Sequence, residues 1–396
     1  MKDKDQEYNK DGSNKGPSHL ELISLDITVE ILTRLPVKSL MKFQYVSKTW
    51  CSIIRSKYFI NSLVSTPSPL FLISLRNYQM TNENAKKSLF LYTSLQEKDE
   101  SSSLVANLDM TLTSDAKFST PCPSVNGFIS IFHKGRFVVC NPSTRQVVLL
   151  PEIEIAGTKW EFAFKVLGYD PVNDQYKAMC KKIFTKPDED KDHIVLTLGG
   201  GKTHTWRQIK GPNHHYSPVT RGICMNGFVY YLAWTPDISR VVVCFDVRSE
   251  KLSIIKLELS ASACWADSTS ALINYKGELA CAIIVGCFLH FWVLIDAKEH
   301  KWSNKFCELH RVWWDSITVD VPISIHGTNN VGEIIISPKY LLHNLGHFPI
   351  IYYDVVKEKF RKVQLKGVGD DEDCRARYGP CLVNISSEHC CNFNII

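Results

Sequence analysis

Five stretches of this chain share one outline: NPSTRQV at 141–147, DPVNDQY at 170–176, DVRSEKL at 246–252, DAKEHKW at 296–302 and DVVKEKF at 354–360. In each, an Asn or Asp ends an apolar run, and an apolar residue six positions later opens another. A short polar side chain that can accept hydrogen bonds from its own backbone, followed by a mostly polar stretch, is turn chemistry. Each copy therefore predicts a turn joining two antiparallel strands. The flanking text agrees: FISIF, RFVVC, EFAFKVLGY, IVLTL, FVYYLAW, RVVVCFDV, LACAIIV, FWVLIDA, EIIIS and PIIYYDV are short runs rich in Val, Ile, Phe and Tyr, separated by turn residues. A second turn, VNG at 125–127, MNG at 225–227 and YKG at 275–277, opens further apolar runs. The repeat spacing suits four-stranded blades of a propeller, with a stacked sandwich as the competing architecture.

The GGGKT at 199–203 invites a phosphate-loop reading. That motif needs another Gly five residues before its GK, where this chain has Leu196, and it needs a helix to follow. HTWRQIK follows instead, with strand-like alternation, so GGGKT predicts a glycine-rich hairpin turn. His204, His214 and His215 have no Cys or carboxylate at ligand spacing, and the acidic run at 369–373 reads as a solvated loop. The expectation is no catalytic residue, no metal and no cofactor.

From Leu22 to Leu63 the period is different. Ile27, Ile31, Leu32 and Leu35 share a helix face, with Ser24 or Asp26 placed to cap it, and Pro36 ends it. Leu40, Phe43 and Val46 continue the pattern, and after Ser47, a second candidate cap, Trp50, Ile53 and Ile54 repeat it. Three short helices in so few residues bury too little apolar surface to stand without a neighbour. Residues 31–60 hold six Lys or Arg and no Asp or Glu, so the chain's net +5 is concentrated here.

With 44% hydrophobic and 22% charged residues the 396-residue chain is globular in composition. Residues 1–19 read as a disordered polar tail. No run is long and apolar enough for a signal peptide or a membrane span. The 14 Cys sit in apolar runs without a CxxC pair, which predicts reduced thiols and a cytoplasmic or nuclear location.

EIL at 30–32, RLP at 34–36, KSL at 38–40, VSK at 46–48 and Trp50 stand in the order and spacing of an F-box, which residues 20–63 resemble. Ser24 replaces the usual Pro, which loosens the turn that meets the adaptor, and Tyr45 replaces a common Cys, which alters packing. Residues 67–385 resemble the plant F-box-associated domain, type 3-like, through FKVLGYDPVNDQYK, VLTLGGGKTHTWRQI and RGICMNGFVYYLA; 386–396 read as a C-terminal tail. The implied fold is α+β and multidomain: a three-helix all-α F-box, then a large all-β, kelch-like or propeller-like domain. The implied function is that of a non-catalytic substrate receptor in a Skp-cullin-F-box ubiquitin ligase, with a Skp-type adaptor, through it a cullin, and a target protein as partners. Leu25, Ile27, Ile31, Leu35, Pro36, Val46, Ser47 and Trp50 would meet the adaptor. Leu32, Leu40, Phe43 and Ile53 either join them or form the unit's own core. Three other readings compete: nucleic-acid binding by the basic segment, which lacks an aromatic ladder or helix-turn-helix spacing; a metabolite enzyme, which needs converging carboxylates; and a ligase-independent scaffold.

Overall fold

The computed structural model describes residues 24–35, 37–56, 58–59, 70–77, 87–95, 103–153, 162–182, 193–199, 205–211, 216–235, 237, 239–257, 269–309, 322–341, 348–368, 381–390 and 392. The expected tail at 1–19, His204, His214, His215, Pro36 and the acidic run at 369–373 lie outside them. The chain divides into two compact units, Met1–Thr66 and Pro67–Ile396.

In the first unit, helices α1 (Leu25–Thr33), α2 (Val37–Phe43) and α3 (Lys48–Arg55) follow in order. Ser24 and Ser47 hold extended backbone at the starts of α1 and α3, and their hydroxyls accept the N–H of Ile27 (3.4 Å) and Trp50 (3.1 Å). Leu32, Leu40, Ile54 and Phe59 are fully buried, with Val29 close behind.

The second unit is built of strands, in five hydrogen-bonded sheets among the described residues; the largest, of nine strands, is described as two parts, the first and the sixth, joined by one short parallel pairing. The first contains β1 (Leu70–Asn77), β2 (Lys87–Leu95) and β3 (Ser103–Ser114). The second contains β4 (Ile129–His133), β5 (Arg136–Asn141) and β6 (Gln146–Leu149). The third contains β7 (Phe162–Asp170), β8 (Gln175–Lys182), β9 (His193–Leu198) and β10 (Arg207–Ile209). The fourth contains β11 (Ser217–Pro218), β12 (Ile223–Met225), β13 (Phe228–Trp234), β14 (Arg240–Asp246) and β15 (Leu252–Lys256). The fifth contains β16 (Ser270–Tyr275), β17 (Glu278–Val285), β18 (Phe288–Asp296) and β19 (Lys301–Glu308). The sixth contains β20 (Ile323–Thr328), β21 (Ile334–Pro338), β23 (Phe348–Asp354) and β24 (Lys359–Lys366). β22 (Tyr340–Leu341) and β25 (Cys381–His389) return to the first sheet, where β25 pairs antiparallel with β1, Leu75 opposite Val383. β24 also meets β3 in a short parallel register, Leu365 opposite Leu104.

Each sheet buries both faces, and the period-2 alternation of its strands assigns residues to one neighbour or the other. On β14, Val241, Val243 and Phe245 pack toward the third sheet, while Val242 and Cys244 pack toward the fifth. On β17, Ala280, Ala282 and Ile284 face the sixth sheet, and Leu279, Cys281 and Ile283 the fourth. Phe137 and Val139 of β5 join the third sheet, whereas Val138 and Cys140 join the first. The sixth sheet returns to the first through Ile350, Tyr352 and Leu365 against Phe71, Ile73 and Val383. Six shared cores thus link the five sheets, the largest in its two parts, in a cycle. A sandwich would have one core between two sheets.

The five repeated turns have one geometry. The Asn141, Asp170, Asp246, Asp296 and Asp354 side chains accept backbone N–H groups two or three residues on, as in Arg248 (2.9 Å) and Ser249 (3.2 Å) to Asp246 Oδ1. The fourth residue after each, Arg145, Asp174, Glu250, His300 and Glu358, adopts positive φ of 51–61°. VNG, MNG and YKG are two-residue hairpin turns with positive φ at both central positions, and Lys134-Gly135 is a fourth of the kind. Asp246→Ala removes an acceptor for two N–H groups and the Ser249 hydroxyl, so we expect a loss of about 1–2 kcal/mol, read as a lower urea midpoint. Asp246→Asn, the residue type at 141, should restore most of it.

The expected tail from residue 386 needs correction. β25 runs to His389, Ser386 and Ser387 are buried, and the Asn392 amide donates to the Asn126 carbonyl (2.5 Å). Residues 200–203 of GGGKT lie outside the described residues; the strands on either side, β9 and β10, pair antiparallel with Val195 opposite Arg207.

Candidate functional site

The helical unit carries apolar residues that its own core leaves out. Leu25, Ile27, Ile31 and Val46 are 59%, 52%, 46% and 63% exposed, while Val29 and Leu32 on the same helix as the first three are buried. α1 is therefore apolar on two faces, one turned into the unit and one turned out. Ile27 and Ile31 are four residues apart and so stand above one another on the outward face. These side chains form an apolar face exposed to solvent on a folded helix.

The remaining predicted contact residues fare differently. Leu35 and Ser47 are half-buried; Ser47 is committed to capping α3. Trp50 is half-buried with its ring 4.8 Å from that of Phe43. Pro36 is outside the described residues. Of the four residues that the sequence left open, Leu32 and Leu40 are buried in the core, and Phe43 and Ile53 are partly buried. Ser24 does not leave the first turn loose: besides capping, its carbonyl accepts the N–H and the hydroxyl of Thr28, both at 3.0 Å. Tyr45, expected to change packing, is instead 85% exposed beside Val46 and adds an amphipathic ring to the outward surface. Sequence reasoning also passed over Tyr58, which is exposed. The only sign of Tyr45 was its departure from the family's Cys.

Charge follows the same division. Lys42, Lys48 and Arg55 are exposed, and Arg34 pairs with Glu30 one turn away, an exposed ion pair of small energetic weight. The surface is apolar patches within a basic field, suited to an acidic partner with an apolar groove. Among the described residues, no group of His, Cys, Asp and Glu is placed to hold a metal ion, and no helix is long and apolar enough to cross a membrane.

Comparison with known proteins places both units. Residues 20–62 match the F-box domain model, and residues 77–394 match the model described as F-box associated beta propeller domain. F-box protein At1g30790 of Arabidopsis thaliana is 43% identical, the alignment covering 93% of this chain and 97% of that one. F-box protein DOR of the same plant is 33% identical over 89% of this chain and 90% of its own length. The Arabidopsis thaliana F-box/kelch-repeat protein At4g19930 is 31% identical, covering 89% and 87%. The helical signature, the strand repeat and these full-length likenesses lead to one conclusion: the chain belongs to the plant F-box proteins that carry an F-box-associated domain.

Proposed function

We propose that the protein is the substrate-recognition subunit of a Skp-cullin-F-box ubiquitin ligase, working in the cytosol or nucleus. The observation that carries this reading is the outward apolar face of α1 and the following turn, Leu25, Ile27, Ile31 and Val46, on a unit that matches the F-box model. That face docks on a Skp-type adaptor and through it on the cullin, with Leu35, Pro36, Ser47 and Trp50 completing or supporting the contact. The second unit is a six-bladed propeller, a reading supported by the cyclic linkage of its six cores. It holds the target. The mechanism is proximity: fixing target and ligase in one assembly raises the effective concentration of target lysines at the transfer site, and the receptor makes or breaks no bond itself.

The test is co-purification with a Skp-type adaptor. Wild type should form a stoichiometric complex. Ile27→Asp with Val46→Asp replaces two exposed residues and should leave circular dichroism unchanged while weakening the complex more than about tenfold, the scale of lost interface anchors. Failure of the wild type to bind any adaptor overturns the reading.

A further inference from the structure

A cavity of about 260 Å³ lies among the edges of the sheets, with Ser124, Asn126, Tyr169, Cys224, Asn226 and Glu388 on its wall. Four of the five sheet systems supply them: the approach to β4, the end of β7, β12 with its turn, and β25. These edges are tied to one another. The Ser124 N–H donates to Ser386 Oγ (2.8 Å), the Tyr169 N–H to Cys224 Sγ (3.3 Å), and the Ile385 N–H to His326 Nδ1 (3.2 Å). The rim is fixed by the VNG and MNG turns. A Cβ on Gly127 would come within 2.6 Å of the Cys390 carbonyl oxygen, and one on Gly227 within 3.2 Å of Pro171. The wall is therefore preformed.

Its charge is one-sided. Glu388 is the sole ionisable acid or base of full charge lining it; no Lys, Arg or His lines it. Two nearby carboxylates are already engaged: Asp170 by its turn N–H groups and Arg248, Asp174 by the Tyr169 hydroxyl (2.9 Å). Glu388 is the one exposed side chain of β25 and so opens to the cavity; it takes part in no ion pair among the described residues, an amide, Asn274, is its hydrogen-bond partner, and the surrounding walls raise its carboxyl pKa. Asn226 is exposed at the rim, and its amide oxygen is an acceptor. A carboxylate partly withdrawn from water without a countercharge gains most from a ligand that brings one. One carboxylate is too few for a cation site of the calcium type, which takes six to eight oxygens. The volume is below the roughly 300–1,000 Å³ of small-molecule sites, so it suits one side chain.

We propose that this cavity receives the ammonium or guanidinium head of a lysine or arginine side chain of the target, with Glu388 as its counter-ion and Asn226 as a second acceptor. The assignment rests on the receptor reading, and its test does not involve the adaptor.

The test uses the full-length chain and two capped tripeptides, acetyl-Gly-Arg-Gly-amide and its citrulline counterpart, compared by ligand-observed NMR titration. Citrulline keeps the shape of arginine and removes the charge. The arginine peptide should bind about tenfold more tightly, and Glu388→Gln should erase that preference. Equal binding of the two peptides to wild type, or an undiminished preference in the variant, overturns the proposal. Should Glu388→Gln fail to fold, the wild-type comparison decides by itself. Tighter binding of free spermidine than of the arginine peptide would make the ligand a soluble amine and likewise overturn it. A failure here leaves adaptor co-purification untouched; a failure of co-purification with a positive titration would leave a cation-binding domain without a ligase role.

Discussion

Ending the chain before Cys381 should abolish cooperative folding of the β-unit. β25 is the only strand by which the last part of the chain enters the first sheet alongside β1, apart from the two-residue β22 that itself pairs with β25, among the described residues. Its removal exposes the edge of β1 and takes away the buried side chains of Leu382, Val383 and Ile385. Burying an aliphatic side chain of this size contributes about 1.5–3 kcal/mol, so three account for roughly 5–9 kcal/mol. A domain's entire net stability is about 5–15 kcal/mol. The truncation also removes Ser386 and His389 from Ser124, the Ile385 N–H from His326, and the Asn392 contacts to Asn126 and Asn141. The first sheet would then keep its short β3–β24 pairing with the sixth but lose the contacts that β25 makes to His326 of that sheet and to the chain entering the second. Urea unfolding followed by circular dichroism and Trp fluorescence should show no cooperative transition in the truncated chain. Ile385→Ala, which leaves the strand paired, should retain the transition at a midpoint lower by about 2–5 kcal/mol of stability. A truncated chain with the wild-type midpoint would show that the cycle does not depend on this closure.

How much of this could be read from the sequence depends on how local each feature is. The five Asx turns were legible because all that they need lies within six residues: an acceptor side chain, the N–H groups two and three positions on, and a residue that tolerates positive φ. The registers agree, with Asp354 opposite Lys359 and Cys140 opposite Val147. The continuous apolar runs were legible as strands buried on both faces, as VVVCFD proves to be. The segment after GGGKT was read as a strand, and β10 stands there, while residues 200–203 lie outside the described residues. Closure was not legible. β25 pairs with β1 across some three hundred residues, and its sequence CLVNISSEH carries Asn384, Ser386, Ser387 and His389, polar types that read as a tail. All four are buried; Ser124, on the chain entering the second sheet, meets Ser386 Oγ and His389 Nδ1, while the Asn384 amide nitrogen and His389 Nε2 have no partner among the described residues. Nothing within the strand itself announces those partners. At the candidate docking face the sequence identified the apolar residues of α1 but not the division between them. Leu32 turns inward and Ile31 outward, and at adjacent positions on one helix only the location of the other helices decides which is which.

Acid should unfold the β-unit well above the range in which carboxylates titrate. His326 is held in its neutral form by geometry: Nδ1 accepts the Ile385 N–H (3.2 Å), while Nε2 lies 2.8 Å from the Ser337 hydroxyl, which itself donates to the Pro338 carbonyl. A second proton on Nδ1 would face the Ile385 N–H donor to donor. Burial, with the Arg221 guanidinium nearby, lowers its pKa to about 3. His389 is 1% exposed, with Ser124 Oγ 2.8 Å from Nδ1 and, among the described residues, no partner at Nε2, and burial lowers its pKa to about 4. Both folded values lie below the ordinary 6.5, so between those limits the unfolded chain binds more protons than the folded one. Stability is then full above about pH 6.5 and is lost as pH falls toward 4. At about 1.4 kcal/mol per pKa unit, the pair contributes a loss on the order of 6 kcal/mol between pH 7 and pH 4. Burial lowers the His290 pKa as well and adds to it, whereas the raised carboxyl of Glu388 takes up its proton more readily when folded and opposes part of it. Below pH 4 the turns add their share. Burial pushes the Asp170, Asp246 and Asp354 carboxyls up, the hydrogen bonds of the turn outweigh it, and backbone N–H groups lower Asp296 directly. Those depressed values supply stability above the ordinary carboxylate range that disappears as pH falls through them. Urea titrations from pH 7 to pH 4 should show stability falling with a slope of about two protons between pH 6 and pH 4.5. His389→Gln removes one of the two groups, so its stability, lower at pH 7, should fall with a slope of about one proton. A wild-type midpoint that is constant from pH 7 to pH 5 would mean that these imidazoles already accept protons in the folded state, and that the His326 bridge between β20 and β25 opens without cost.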